Sequence, residues 1–371
     1  MSRDLLILFG MGLICILLSP FYKASSLPIL HKQPQFSTQI TKTYEVSKTT
    51  KPKKIVLLVS DFLPDTFAGS EVSAYETVKY MRDRGHSITV ISERATVDSY
   101  DKFPIYKFSK TDKHIETTIK HADVVFFQIF GNSHEKFDCI KERTKPTFLF
   151  IHINNQYGWI IQNKISFPLT IVFNSEYTKT INPTSHPNIV MIPYVNLELY
   201  KPLRSNTVQT SVVGLMNCNY RKGGKILIEI ATKLPNVQFL AVKGAYGDTD
   251  TKSLPNITYM DVQRDVRPIY KRLGILIMPS KEETWGRTAV EAMAAGIPVI
   301  HSDAEGLVEC LGGAGIQCNR EDIDAWCAAI KQVLGDRAYR ERLRQNGFKR
   351  VEQIESMQRE QRFALAENIE V

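Results

Sequence analysis

With 371 residues, 43% of them hydrophobic and 23% charged, the chain has apolar mass for one large or two medium domains, which excludes disordered and fibrous classes. Lys and Arg number 47 against 39 Asp and Glu, a formal charge of +8 that favours anionic partners such as phosphates or acidic lipid. No basic recognition helix, zinc-finger spacing or aromatic RNA-binding signature accompanies that charge, so nucleic acid is not an expected partner.

The chain opens on an unbroken apolar run, LLILFGMGLICILL, Leu5 to Leu18. It suits a signal-peptide core in length and is short of the ~20 residues of a full span. Tyr22 is a poor residue three positions before a cleavage at Ala24, so an uncleaved anchor over residues 1–22 is expected, and with it a membrane-associated protein. Residues 23–50 are rich in Ser, Thr and Lys without periodicity and read as a stem. Its end, SKTTKPKK (Ser47 to Lys54), is basic enough to rest on an acidic leaflet, a solvated linker being the equal alternative. Six cysteines, one of them Cys15 in the apolar run, show no CxxC, so neither a disulfide framework nor a zinc site is indicated.

From Lys54 short apolar runs alternate with amphipathic stretches. KKIVLLVS, SITVIS, DVVFFQ, TFLFIHI and LTIVFNS are strand-like, and segments such as SEVSAYETVKYMRDRG between them are helix-like. This is the rhythm of parallel βαβ units buried on both faces of a sheet. It pauses over the turn-rich Tyr194 to Thr210 and restarts with SVVGLMN, VQFLAVKG, ITYM, GILIMPS and IPVIHS. Two doubly wound, Rossmann-like domains follow, over 51–200 and 201–371, facing a central cleft at the carboxyl ends of their strands. The chain beyond Glu321 is charged and helical throughout.

Four loops fall at those strand ends. In the first, Ala68-Gly69-Ser70 leads into a helix; small residues there let backbone N–H groups approach an anion, though a plain strand-to-helix turn explains them equally. The second, GLMNCNYRKGG, carries Asn217, Arg221 and Lys222 ahead of a helix, where a lysine can hold a diphosphate or simply be solvated. The third ends an apolar strand on His152, more often a core histidine than a functional one when taken alone.

The fourth is KEETWGRTAVEAMAAGIPVI. After Gly286 the backbone N–H groups of Arg287 and Thr288 begin a helix and point toward the cleft. That helix is apolar nearly all round, yet Glu291 sits in its middle, eight residues after Glu283. A buried carboxylate is costly without hydrogen bonds, so a partner is required. The two glutamates as a hydrolase pair fit poorly, because Glu291 is too deep to be an exposed acid; a carboxylate there can instead accept bonds from a ligand's vicinal hydroxyls. Asp248-Thr249-Asp250 has the DxD form of metal-dependent sugar-nucleotide enzymes, but no further acidic partner accompanies it. No metal and no cofactor is expected. Asn256-Ile-Thr258 is the one acceptable N-glycosylation sequon.

Together these segments resemble the family 4 retaining glycosyltransferases, of GT-B architecture. ETWGRTAVE is similar to the family's E-x7-E motif, EAMAAGIPVI continues it, and FNSEYT, IPYVN and RGHSITVI are similar to its N-terminal landmarks. The resemblance implies a nucleoside-diphosphate-sugar donor. It implies that Glu291 bonds the ribose hydroxyls and Glu283 the donor sugar. The amides after Gly286 and Lys222 would then hold the diphosphate, His152 would lie near the reacting sugar, and Gly69 would belong to the loop closing over donor and acceptor. Three departures stand out. Leu215-Met216-Asn217 replaces an arginine often found after the glycine matching Gly214, for which Arg221 is the candidate substitute; Gly-Ser replaces Gly-Gly or Gly-Ala at Gly69; and Glu305-Gly306 replaces a glycine pair. The expectation is a metal-independent, retaining glycosyltransferase with an N-terminal anchor. A UDP-sugar 2-epimerase on the same fold and a non-catalytic sugar-nucleotide-binding protein are the alternatives.

Overall fold

The computed structural model describes residues 48–370, apart from 50, 129–133, 153–164, 166, 208–209 and 245–247. The expected anchor and nearly all of the stem lie outside the described residues, among which no helix is long and apolar enough to cross a membrane.

Residues 44–371 form one compact unit containing two sheets. The first has eight strands: β1 (Lys54–Val59), β2 (Ser87–Ser92), β3 (Ser99–Tyr100), β4 (Phe103–Lys107), β5 (Val124–Gln128), β6 (Thr147–Ile151), β7 (Leu169–Phe173) and β8 (Asn188–Val190). Their order is β3-β4-β2-β1-β5-β6-β7-β8, parallel throughout except for the β3–β4 edge. The second has six: β9 (Val213–Leu215), β10 (Phe239–Val242), β11 (Ile257–Met260), β12 (Ile275–Met278), β13 (Val299–His301) and β14 (Ile316–Gln317). Its order, β11-β10-β9-β12-β13-β14, is wholly parallel and is the doubly wound Rossmann order.

Strands β5, β6, β9, β10, β12 and β13, central in their sheets, are buried along their whole length, which is why they read as continuous apolar runs rather than alternating ones. Each sheet has a hydrophobic cluster on either face. The strand order reverses beside β1 in the first sheet and beside β9 in the second, so the loops leaving these two strands open onto a crevice. One carries Gly69 at the start of α1 (Gly69–Asp83); the other carries Lys222 ahead of α2 (Gly224–Lys233).

Strand β4 is not legible as a strand, because Pro104 and the exposed Tyr106 and Lys107 break its apolar pattern. The polar C-terminal stretch forms two helices, Ile323–Gly335 and Arg337–Glu370. The second buries Leu343, Gly347, Val351, Ile354 and Gln358, a stripe at three- and four-residue spacing, against the second sheet's side. Its last turns then join the first sheet's core through Leu365, Ala366 and Ile369, and Arg84 Nη2 holds Glu370 Oε1 at 2.7 Å. One helix therefore ties the two domains together.

Candidate functional site

Glu291 lies mid-way along α3 (Arg287–Ala294) and is 6% exposed. Its burial is compensated. Tyr270 donates its phenolic hydrogen to Oε2 at 2.8 Å, and Arg287, one turn earlier, lies with Nη2 3.3 Å from Oε1. Tyr200 packs edge-on to Tyr270, ring centroids 5.6 Å apart. Burial, reinforced by the Glu291 carboxylate, raises both phenols well above their ordinary range and keeps them protonated donors. The partner that the sequence requires for Glu291 is thus an aromatic hydroxyl pair and an arginine.

Helix α3 begins at Gly286, whose φ of 122° is closed to other residues and whose position against Leu307 leaves no room for a Cβ. No side chain caps this end. Its first N–H groups, those of Arg287 and Thr288, have no partner within the helix by construction. The Thr288 hydroxyl is turned to the Met278 sulfur, 3.6 Å away, so its backbone rather than its side chain is available. Arg287 also donates to the Tyr194 carbonyl, and its Cδ lies 4.0 Å from where a Cβ on Gly69 would sit. Gly69 and Arg287 therefore face each other from the two domains. That spacing is ordinary van der Waals contact, so packing alone does not demand glycine at position 69.

Glu283 sits on the loop before α3. Its Oε1 takes the Lys222 ammonium and accepts from Ser280 Oγ at 3.1 Å. Sequence reading assigns Lys222 and Glu283 separately, and the fold pairs them. The loop is seated by Gly306 in α4 (Glu305–Leu311): a Cβ there would lie 2.3 Å from the Glu283 carbonyl oxygen. The retained glycine of Glu305-Gly306 thus has a packing role.

His152 follows β6 in the first domain. Its Nε2 is 3.0 Å from Gln128 Oε1, while Gln128 Nε2 donates to the Ser70 carbonyl at 3.2 Å, so the imidazole carries its proton on Nε2. Burial lowers its pKa to about 4 and keeps the ring neutral near pH 7. His152 lines a small pocket together with Leu57, Phe126, Phe150, Asn174 and Tyr194 among others.

Asn217 and Arg221, also expected near the diphosphate, each have a partner within the protein. Asn217 Oδ1 accepts the Asn219 N–H at 3.1 Å and shapes the loop. Arg221 is two-thirds exposed and pairs with Glu282. Around the DxD segment, Thr249 bridges Asn219 and the Asp250 N–H bonds the Cys218 carbonyl at 2.9 Å, so it packs as part of this loop. Among the described residues no group of three His, Cys, Asp or Glu could hold a metal ion. Asn256 is 4% exposed and its amide donates to the carbonyls of Ala231, Leu234 and Val237, so the folded domain does not present the sequon.

Residues 209–336, which carry Lys222, Glu283 and Glu291, match the family model of glycosyl transferases group 1. A lipopolysaccharide core biosynthesis glycosyltransferase, LpsE of Rhizobium meliloti, is 29% identical over 136 residues, covering 34% of this chain and 40% of that protein. The chain thus spans less than half the length of the curated relatives it matches. Among solved structures, sucrose-phosphate synthase from Thermosynechococcus elongatus superimposes with a TM-score of 0.67 at 16% identity, covering 83% of this chain and 97% of the other. Anabaena Alr3699/HepE in complex with UDP-glucose does so with a TM-score of 0.67 at 16% identity, covering 85% and 100%. The fold is GT-B.

Sequence reading misses Tyr270, Tyr200, Asn174 and Thr284. Asn174 lies within the landmark FNSEYT and Thr284 within ETWGRTAVE, so the segments are visible while their hydrogen bonds to each other are not.

Proposed function

We propose that the protein is a glycosyltransferase that moves a sugar from a nucleoside-diphosphate sugar, with retention of configuration and without a metal ion. The observation that carries this reading is a buried carboxylate, Glu291, held by Tyr270 and Arg287 behind a helix start whose N–H groups no side chain caps. In this reading Glu291 accepts bonds from the ribose hydroxyls. The N–H groups of Arg287 and Thr288 and the ammonium of Lys222 receive the diphosphate, and Glu283 orients the donor sugar. Gly69 belongs to the facing loop. Asn217 shapes the diphosphate loop, and Arg221 reaches the phosphates by leaving Glu282.

The chemistry suits these residues. As the glycosidic bond breaks, the leaving diphosphate gains negative charge, which fixed N–H dipoles and Lys222 stabilise most strongly in the transition state. The acceptor hydroxyl approaches from the leaving group's own face and gives its proton to the departing phosphate, so no protein nucleophile is needed. His152, neutral and near the reacting sugar, is a hydrogen-bonding group rather than a cation. The apolar run Leu5–Leu18 supports attachment to a membrane through the N-terminus.

The test is calorimetric titration of UDP and GDP, in EDTA, into the protein and its Glu291→Ala variant. Binding that weakens by about 1.5 kcal/mol or more in the variant supports the ribose contact. Binding of neither nucleotide, or equal binding without Glu291, sinks it. Release of products from a UDP-sugar without any acceptor would favour the epimerase alternative.

A further inference from the structure

Hydrogen bonds between the two domains converge on one hydroxyl. Asn174 Nδ2 donates to Thr284 Oγ1 at 2.8 Å, and Thr284 Oγ1 donates in turn to the backbone carbonyl of His152, also at 2.8 Å. Asn174 Nδ2 lies a further 3.4 Å from that carbonyl. Asn174 and His152 follow neighbouring strands of the first sheet, β7 and β6, whereas Thr284 is the residue after Glu283 in the second domain.

The direction of the relay is fixed at its origin. Asn174 Oδ1 accepts from Thr178 Oγ1 at 2.7 Å, so the amide presents its NH2 to Thr284 and cannot turn over without losing both contacts. The far side of the Thr284 peptide is closed by Gly306, where a Cβ would lie 2.5 Å from the Thr284 carbonyl carbon. Helix α4, which carries Gly306, is itself tied to the same stretch of the first domain: the Glu309 carboxylate accepts the N–H groups of Glu176 and Tyr177 at 3.0 and 2.8 Å. The Glu283–Thr284 peptide is thus held between α4 and Asn174.

We propose that Thr284 and Asn174 are positioning residues that hold the Glu283 loop of the donor domain and the His152 segment of the facing domain in one fixed relation. The proposal rests on the glycosyltransferase reading above and adds to it how the two halves of the site are registered. A transfer reaction between domains depends on such registration, because a misplacement of about 1 Å costs on the order of 100-fold in rate. The nucleotide-side contacts of Glu291 with Tyr270 and Arg287 lie wholly within the second domain and do not pass through Thr284.

Thr284→Val keeps the side chain's shape and removes both hydrogen bonds; Thr284→Ser keeps the hydroxyl. The measurements are kcat and donor KM for nucleotide-sugar turnover, nucleotide affinity by calorimetry, and amide hydrogen exchange over residues 174–178 and 281–286. Thr284→Val is expected to lower kcat about 10- to 100-fold, with donor KM and nucleotide affinity within about twofold of wild type. Thr284→Ser is expected to recover kcat to within about threefold, and faster exchange should appear in the valine variant alone. An unchanged kcat in Thr284→Val, equal loss in both variants, or a loss confined to nucleotide affinity overturns the proposal. If the wild-type protein turns over no nucleotide sugar, the glycosyltransferase reading fails by itself. The exchange data then decide the link, and identical exchange in wild type and Thr284→Val refutes it.

Discussion

Tyr270 donates to Glu291 across 2.8 Å of dry interior, from a helical turn that ends five residues before β12 begins. The phenol is fully buried and also lies 3.4 Å from the Thr288 carbonyl, so the hydroxyl joins the carboxylate to the first turn of its own helix. Without it, Glu291 keeps the Arg287 contact but loses a neutral donor that fixes which way the carboxylate faces. Tyr270→Phe is therefore expected to lower the unfolding free energy by about 1.5 kcal/mol. It should also weaken nucleotide binding about five- to tenfold through loss of that orientation. Urea titration and calorimetry on the same preparation check both numbers. Unchanged nucleotide affinity in a destabilised Tyr270→Phe protein would confine the tyrosine to folding.

Lys222 and Glu283 make a different kind of pair. Their side chains are 32% and 14% exposed, so the ion pair contributes little to stability, about 1 kcal/mol at most. Lys222 nonetheless stands where the leaving diphosphate is proposed to gain charge. Lys222→Ala should lower kcat by roughly 100- to 1000-fold while shifting the melting temperature by only a few degrees. Initial rates and thermal melts separate the two effects. A large loss of stability with turnover retained would reverse the assignment.

The central strands of both sheets and the helix and strand between Arg287 and Ile300 are legible in the sequence because parallel strands buried on both faces leave unbroken apolar runs. Gly286 is legible too, since a helix starting after a glycine at the end of a strand–loop is a local pattern. What escapes is long-range and polar. Thr284 lies 110 residues from Asn174, and nothing local distinguishes either from a solvated side chain. Arg221 is a second case: its place in a basic loop is legible, whereas its ion pair with Glu282, brought alongside by the fold, is not. The return of the last helix to the first domain is hidden because its buried stripe and its final apolar residues serve different cores.

Asn256 illustrates how a sequence motif can be taken over by packing. Its amide group satisfies three main-chain carbonyls at the end of α2 and in the turn before β10. Asn256→Ala should cost about 2–3 kcal/mol, because buried acceptors are left without donors. Protein made in a glycosylating host should carry no glycan at this site once folded. Chemical denaturation of the variant and intact-mass measurement of the secreted domain check the two expectations, and a glycan on folded, stable protein would contradict the observed burial.

His152 gives the last prediction, and its sign follows from burial. Its folded-state pKa of about 4 lies below the ~6.5 of an unfolded histidine. Between those values the unfolded chain binds a proton that the folded chain does not, so acid favours unfolding. The contribution of His152 is flat above about pH 6.5, falls as pH drops toward 4, and levels below that. Buried His86 and His301 are lowered in the same direction and share the window, so the test is a comparison. His152→Gln should show a shallower loss of stability than wild type between pH 6.5 and 4.5 in urea melts. The rate profile should lack a step near pH 6.5 from this ring, because the imidazole is neutral across that range and bonded through Nε2 to Gln128. Imidazole resonances of His152 that titrate near pH 6.5 in the folded protein would show that the ring is solvated and charged, and the neutral role assigned to it beside the reacting sugar would be wrong.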